Sequence, residues 1–323
     1  MRAQPNIRRY EYAVVISLLA FIAISVAVSA VVGLEEIAAA LGKVGAASFL
    51  GMVALALINF VLRGLRWVFF CRSLDLLIPD GSAFMSFFAG FSMATTPGKV
   101  GELIRLWLLN KAHACRYEHS MGLLLGDRLS DLAAVTFLGI ISAVTVAGYT
   151  MDIAIAAFLF FLIIVLFARP RFLLWSIGVS YALTGRLGKL LARLRQGIRR
   201  TSALFKPNVV VIALGLSLLG WTLECAAAYW AARAVGIDVS FLETTFVFCF
   251  AILVGALSML PGGLGSAEAT MIGLFVAFGA SPQTALAGTL LIRVITLWSA
   301  VAIGSVVLPI ALRRAHAQGV ASA

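Results

Sequence analysis

Apolar residues run almost unbroken through six stretches of the chain, at about 12–33, 46–70, 120–148, 152–168, 207–235 and 282–312, with polar connections between them. A helix needs about 20 apolar residues to cross a bilayer, and barrel strands would instead alternate apolar and polar positions over about 10 residues. The pattern therefore predicts an all-α, polytopic membrane protein with six full spans. Two further apolar segments, 82–111 and 240–280, are interrupted near their middles by Pro-Gly, at Pro97-Gly98 and Pro261-Gly262. A helix breaker at that depth demands irregular backbone, which hydrocarbon tolerates only where it is buried in protein or borders a wet cavity.

The two interruptions resemble each other. "PGKVGE" at 97–102 and "PGGLGSAE" at 261–268 share Pro-Gly-x-aliphatic-Gly followed closely by Glu. Pro97 and Pro261 end the incoming half-helices, and Gly98, Gly101, Gly262, Gly263 and Gly265 admit the turn. The helix restarting after Pro261 exposes unpaired N–H groups at a positive dipole end. Such a turn holds a carboxylate or phosphate, or is filled from within by Glu268.

Charge sets the orientation. Arg2, Arg8 and Arg9 precede the first span, Arg72 follows the second, and Lys111 and Arg116 precede the third. The connection 169–206 holds nine Lys or Arg and no acid, whereas the connections with Glu35, Glu36, Asp152 and Asp238 are acidic or nearly neutral. The positive-inside rule puts the basic segments and both termini in the cytoplasm. Topology then closes only if 82–111 and 240–280 each enter and leave on one side, the first from the cytoplasm and the second from outside. Each becomes a re-entrant hairpin. The expected organisation is one domain over 1–323, with inverted halves at 46–148 and 207–312, a transporter-type arrangement in which broken helices meet near the midplane.

Of the 323 residues, 62% are apolar and 12% charged, a mixture that a water-soluble globule does not keep off its surface. The formal charge of +11 lies beside the spans, which points to anionic lipid rather than nucleic acid. Within 186–206, Leu187, Leu190, Leu191, Leu194 and Ile198 form an apolar stripe opposite basic positions, an interfacial helix on anionic headgroups. The N-terminal apolar run is long for a signal peptide and reads as a retained span. Cys71, Cys115, Cys225 and Cys249 show no C-x-x-C pairing, and His113, His119 and His316 lie in polar connections or the tail. No metal or cofactor is expected. "GKVGE" lacks phosphate-loop spacing, so no ATP-driven step is expected.

The charged residues inside apolar segments are the candidate chemistry. Asn59, Arg63 and Arg66 are spaced i, i+4, i+7 on one helix face beside Trp67. They read as snorkelling to the interface or as phosphate recognition by the guanidinium fork. Glu102 and Arg105, and Asp127 and Asp131 around Arg128, read as local neutral pairs or as parts of a shared polar pocket. Lys99 is a charge the second interruption lacks. Glu224 and Arg293 each cost about 2.5–3.5 kcal/mol unpaired near a span centre, and read as a mutual structural pair or as a headgroup or proton site.

"LRGLRW" at 62–67, "TTPGKVGELIR" at 95–105, "GDRLSDL" at 126–132 and "PGGLGSAEA" at 261–269 together resemble the lysylphosphatidylglycerol synthase transmembrane region family, the flippase-like module of the multiple peptide resistance factor. The resemblance implies a bacterial or archaeal cytoplasmic-membrane protein that moves a phospholipid or lipid-linked intermediate between leaflets. Members with synthase activity carry a separate soluble aminoacyl-transfer domain, for which the residues after Leu312 leave no match, so no aminoacylation is expected. Where the family usually has Glu-Arg, this chain has Asp127-Arg128, which keeps the charge pattern. The competing functions are a membrane-embedded lipid-modifying or glycolipid-synthesis accessory protein, and a scaffold whose buried charges simply pair.

Overall fold

The computed structural model describes residues 34–96, 102–147 and 202–321, and among these every regular element is helical. The expected spans at 12–33 and 152–168, the interfacial helix but for its last residues, the hinge residues Pro97, Gly98 and Gly101, and the candidate cavity residue Lys99 lie outside the described residues.

In chain order the helices are α1 (Leu34–Gly42), α2 (Ala46–Ser73), α3 (Asp80–Ala89), α4 (Ile104–His113), α5 (Tyr117–Ala147), α6 (Pro207–Ala234), α7 (Phe241–Leu257), α8 (Ser266–Ala277), α9 (Pro282–Arg293) and α10 (Ser299–Ala321). Helices α2, α5, α6 and the α9–α10 unit are long and apolar enough to cross a membrane, matching four of the six expected spans. Helix α1 falls where the sequence reading placed an outward-facing connection, and it packs on α9. The last span is two α-helices joined through a π-helical turn, Val294–Trp298, directly after Arg293.

Local signals set the helix starts. Pro207 and Pro282 occupy first-turn positions, where a missing N–H costs nothing. Ser281 accepts from the Thr284 N–H at 3.2 Å. At α7 the Ser240 hydroxyl accepts from the Glu243 N–H (3.2 Å) and Glu243 accepts from the Ser240 N–H (2.7 Å), a reciprocal cap that explains an acid at the mouth of an apolar run.

Both interrupted segments consist of two helices that fold back on each other. α3 ends in a 3-10 turn, Gly90–Met93, and packs against α4; α7 ends before a 3-10 turn, Pro261–Gly263, and packs against α8. The packing is reciprocal. The first folded-back pair sits against α10, which follows the second pair, and α7 of the second pair sits against α5, which follows the first. α2 and α6 pack on each other at the centre. Gly262 and Gly263 take φ of 62° and 68°, the left-handed region glycine enters without strain. Gly263 also presses on the α7 backbone: a Cβ there would lie 3.0 Å from the Gly255 Cα.

Candidate functional site

The centre of the molecule is an ionic network laid between α2, α4, α5 and α6. Asn59, Arg63 and Arg66 on α2 face Glu224, Trp221 and Ser217 on α6. The Asn59 amide donates to Glu224, Arg66 Nη1 donates to Ser217, and the order of these contacts makes the two helices antiparallel. Gly220 lets them approach, since a Cβ there would lie 2.5 Å from Asn59 Oδ1.

Two aspartates one helical turn apart on α5 bind the guanidinium groups from both sides. Asp131 takes Arg63 Nη2 at 2.7 Å and Arg66 Nη2 at 2.9 Å, and accepts from Trp221 Nε1 at 3.2 Å. Asp127 takes Arg66 Nη2 at 2.5 Å and Arg105 Nη1 at 3.2 Å. Thus Asp127 and Asp131 join helices rather than neutralising Arg128 between them. Arg66 is fully buried and Arg63 nearly so, which is incompatible with snorkelling to an interface.

Arg105 is set differently. Its guanidinium carbon lies 4.4 Å from the Phe87 ring centroid and 5.5 Å from that of Trp67, and its side chain crosses Gly90, where a Cβ would lie 2.1 Å from Nε. The aromatic faces offset part of its desolvation. Arg128 pairs with Glu102, which also stands 3.6 Å from Arg105 Nη2.

The second interruption carries its own pair. Glu268 accepts from the Gly265 N–H at 2.6 Å, so it fills the N-terminus of α8 from within, and its other oxygen takes Arg293 Nε at 2.5 Å. Arg293 Nη2 donates to the Gly262 carbonyl at 2.7 Å, which ties the turn to the last span. Glu224 and Arg293 therefore have separate partners, Asn59 and Glu268.

These groups surround one space. A cavity of about 350 Å³ is lined by Arg63, Arg128, Asp131, Glu102, Glu224 and Arg293, with apolar walls from Phe60, Phe91 and Leu253 and a floor at Gly262 and Gly263. The two interruptions meet beside it: a Cβ on Gly262 would lie 3.5 Å from the Thr95 Cα, two residues before Pro97. Arg66, Arg105, Asp127 and Asn59 stand behind the wall, and Lys99 lies outside the described residues. Sequence reasoning missed Ser217 and Trp221. Their spacing with Glu224, i, i+4, i+7, repeats that of Asn59, Arg63 and Arg66, and was the available signal.

The sequence model of the lysylphosphatidylglycerol synthase TM region family matches residues 12–304, nearly the whole chain. The chain belongs to this family. A UPF0104 membrane protein of Methanothermobacter thermautotrophicus is 28% identical over 303 residues, covering 86% of this chain and 90% of the relative. A UPF0104 membrane protein of Pyrococcus horikoshii is 24% identical over 279 residues, covering 77% and 82%. One of Methanocaldococcus jannaschii is 25% identical over 225 residues, covering 67% and 92%. Family membership and the four long apolar helices make this a multi-pass helical membrane protein.

Proposed function

We propose that the protein moves a phospholipid or a lipid-linked intermediate between leaflets, its headgroup passing through the ionic cavity while the acyl chains remain in the bilayer. The observation that carries this reading is the 350 Å³ cavity bordered by both helix interruptions and walled by Arg63, Arg128, Asp131, Glu102, Glu224 and Arg293. Small-molecule sites span about 300–1,000 Å³, so the space suits a headgroup rather than a whole lipid. Its charges come in both signs, which fits a phosphate with or without an amine. The folded-back pairs are re-entrant from opposite faces, in inverted halves at 46–148 and 207–312, within a cytoplasmic membrane and with both termini in the cytoplasm. The antiparallel contact of α2 and α6 and the reciprocal packing support that inversion. Anionic headgroups at 186–206 hold the basic connection to the inner leaflet.

The engagement of Asp127 and Asp131 by guanidinium groups favours transport over the lipid-modifying alternative, which needs a free acid or base. The movement is facilitated or ion-coupled. Reconstitution into liposomes with a fluorescent phospholipid tests the reading: the protein accelerates interleaflet exchange, and Arg63→Ala and Glu224→Gln each slow it by about tenfold, the effect of losing about 1.4 kcal/mol. Exchange no faster than in empty liposomes overturns it, and chemical modification of the lipid moves the protein to the enzyme class.

A further inference from the structure

Glu102 serves two cations at once. Its carboxylate pairs with Arg128 on α5 and stands 3.6 Å from Arg105 Nη2, beyond hydrogen-bond reach. Arg105 is fully buried, and its Nη2 and Nε have no hydrogen-bond partner. Unmade bonds on a buried guanidinium are costly, so Arg105 holds an unfilled demand for the acid that Arg128 occupies. The Arg128 side chain is 31% exposed, against 10% for Arg63, 3% for Arg293 and none for Arg66 and Arg105, and it lines the cavity. Of these arginines it has the most exposed side chain.

We propose that Arg128 is an exchangeable phosphate site: the phosphate of a headgroup takes the Arg128 guanidinium, and the displaced Glu102 carboxylate closes onto Arg105. The exchange leaves no buried charge without a partner. Stripping Glu102 from Arg128 with nothing to receive it would isolate a carboxylate at a cost of several kcal/mol. Arg105 removes that cost, and a phosphate offers the guanidinium fork two oxygens. Arg66 and Arg105 are then scaffold, and Arg128 is the group that binds the phosphate. The inference rests on the cavity being the headgroup path and narrows it to phosphate-bearing headgroups.

The test is calorimetric titration of the full chain in detergent with three probes: inorganic phosphate, dihexanoyl phosphatidic acid and dihexanoylglycerol. Removing the competing acid tightens binding. Glu102→Gln lowers the Kd for dihexanoyl phosphatidic acid by about tenfold, or about 1.4 kcal/mol, and Arg128→Gln abolishes that gain in the double variant. Glu102→Asp, which retracts the carboxylate but keeps its charge, gives a smaller shift in the same direction and guards against a Glu102→Gln protein that does not fold. Inorganic phosphate reproducing the pattern assigns the bare anion to the site, and the phospholipid alone reproducing it assigns the headgroup; both support the exchange. Equal or weaker binding in both Glu102 variants, binding untouched by Arg128→Gln, or dihexanoylglycerol binding as well as the phospholipid overturns it. If this pattern appears but liposome exchange does not, the transport reading falls and the site stands. If exchange occurs without the pattern, this inference alone falls.

Discussion

The guanidinium groups of the core divide by what their loss would strand. Asp127 is the shared acceptor of Arg66 and Arg105, both without exposed surface. Asp127→Asn leaves two buried cations short of charge, and breaking a buried pair costs about 3–5 kcal/mol. The variant is expected to show a large drop in thermal midpoint in detergent, followed by tryptophan fluorescence, whereas Arg128→Gln, whose partner Glu102 retains Arg105, stays close to the parent. Equal losses would contradict the division. Gly90 makes a similar claim about space. Gly90→Ala sets a methyl 2.1 Å from Arg105 Nε and forces the side chain off its aromatic seat, with an expected destabilisation of about 1–3 kcal/mol in the same assay. At this scale the sequence revealed which residues are charged in apolar surroundings, and the helical spacing of Asn59, Arg63 and Arg66 placed them on one face. It did not reveal partners. Local spacing suggested that Asp127 and Asp131 neutralise Arg128, yet each reaches across to α2, because partner choice depends on which helices pack together.

Among elements, the second interruption ties sequence to geometry most directly. α7 stops at Leu257, four residues before the Pro261 expected to end it; Pro261 instead opens the 3-10 turn, Gly262 and Gly263 carry the chain through left-handed backbone, and Glu268 caps the next helix while anchoring Arg293. Gly263→Ala meets two penalties, a strained φ and a Cβ against the Gly255 backbone. It is expected to lower stability by about 1–3 kcal/mol and to slow lipid exchange. Gly215→Ala is the matched control: this α6 glycine has open space around its Cβ position, and alanine there gains helix propensity of about 1 kcal/mol. A Gly215→Ala loss as large as that of Gly263→Ala would show that any glycine in these helices matters, not the turn. The Pro-Gly pairs made both interruptions legible, whereas the Ser240–Glu243 cap at the start of α7 went unread. The π-turn after Arg293 was not legible, because its residues, VITLW, include no Pro or Gly breaker. Helix α1 was missed because two acids in a short run read as a connection.

For the whole molecule, length decides what the folded-back pairs can do in a bilayer. At 1.5 Å per residue, the 28-residue helices α2 and α6 are about 42 Å long, ample for a hydrocarbon core of about 30 Å. The 17 residues of α7 reach about 26 Å and the 12 of α8 only about 18 Å. α8 is shorter than the hydrocarbon core, so in the proposed re-entrant topology the chain re-emerges on the side where α7 entered and the bend at Leu257–Pro261 stays within the membrane. Two full crossings would return the chain to that same side, so labelling the ends of this segment does not separate the two cases. Labelling its bend does. Leu257 is highly exposed and does not line the cavity, so in a re-entrant hairpin it faces hydrocarbon. In a background with the four buried cysteines replaced, a membrane-impermeant maleimide is expected to label Lys206→Cys only from the cytoplasm and Ser281→Cys only from outside. Leu257→Cys is expected to resist from both sides until detergent is added. If Leu257→Cys reacts from the cytoplasm as fast as Lys206→Cys, the bend has crossed the bilayer, the two interruptions no longer meet at mid-depth, and the cavity between them opens to one side only.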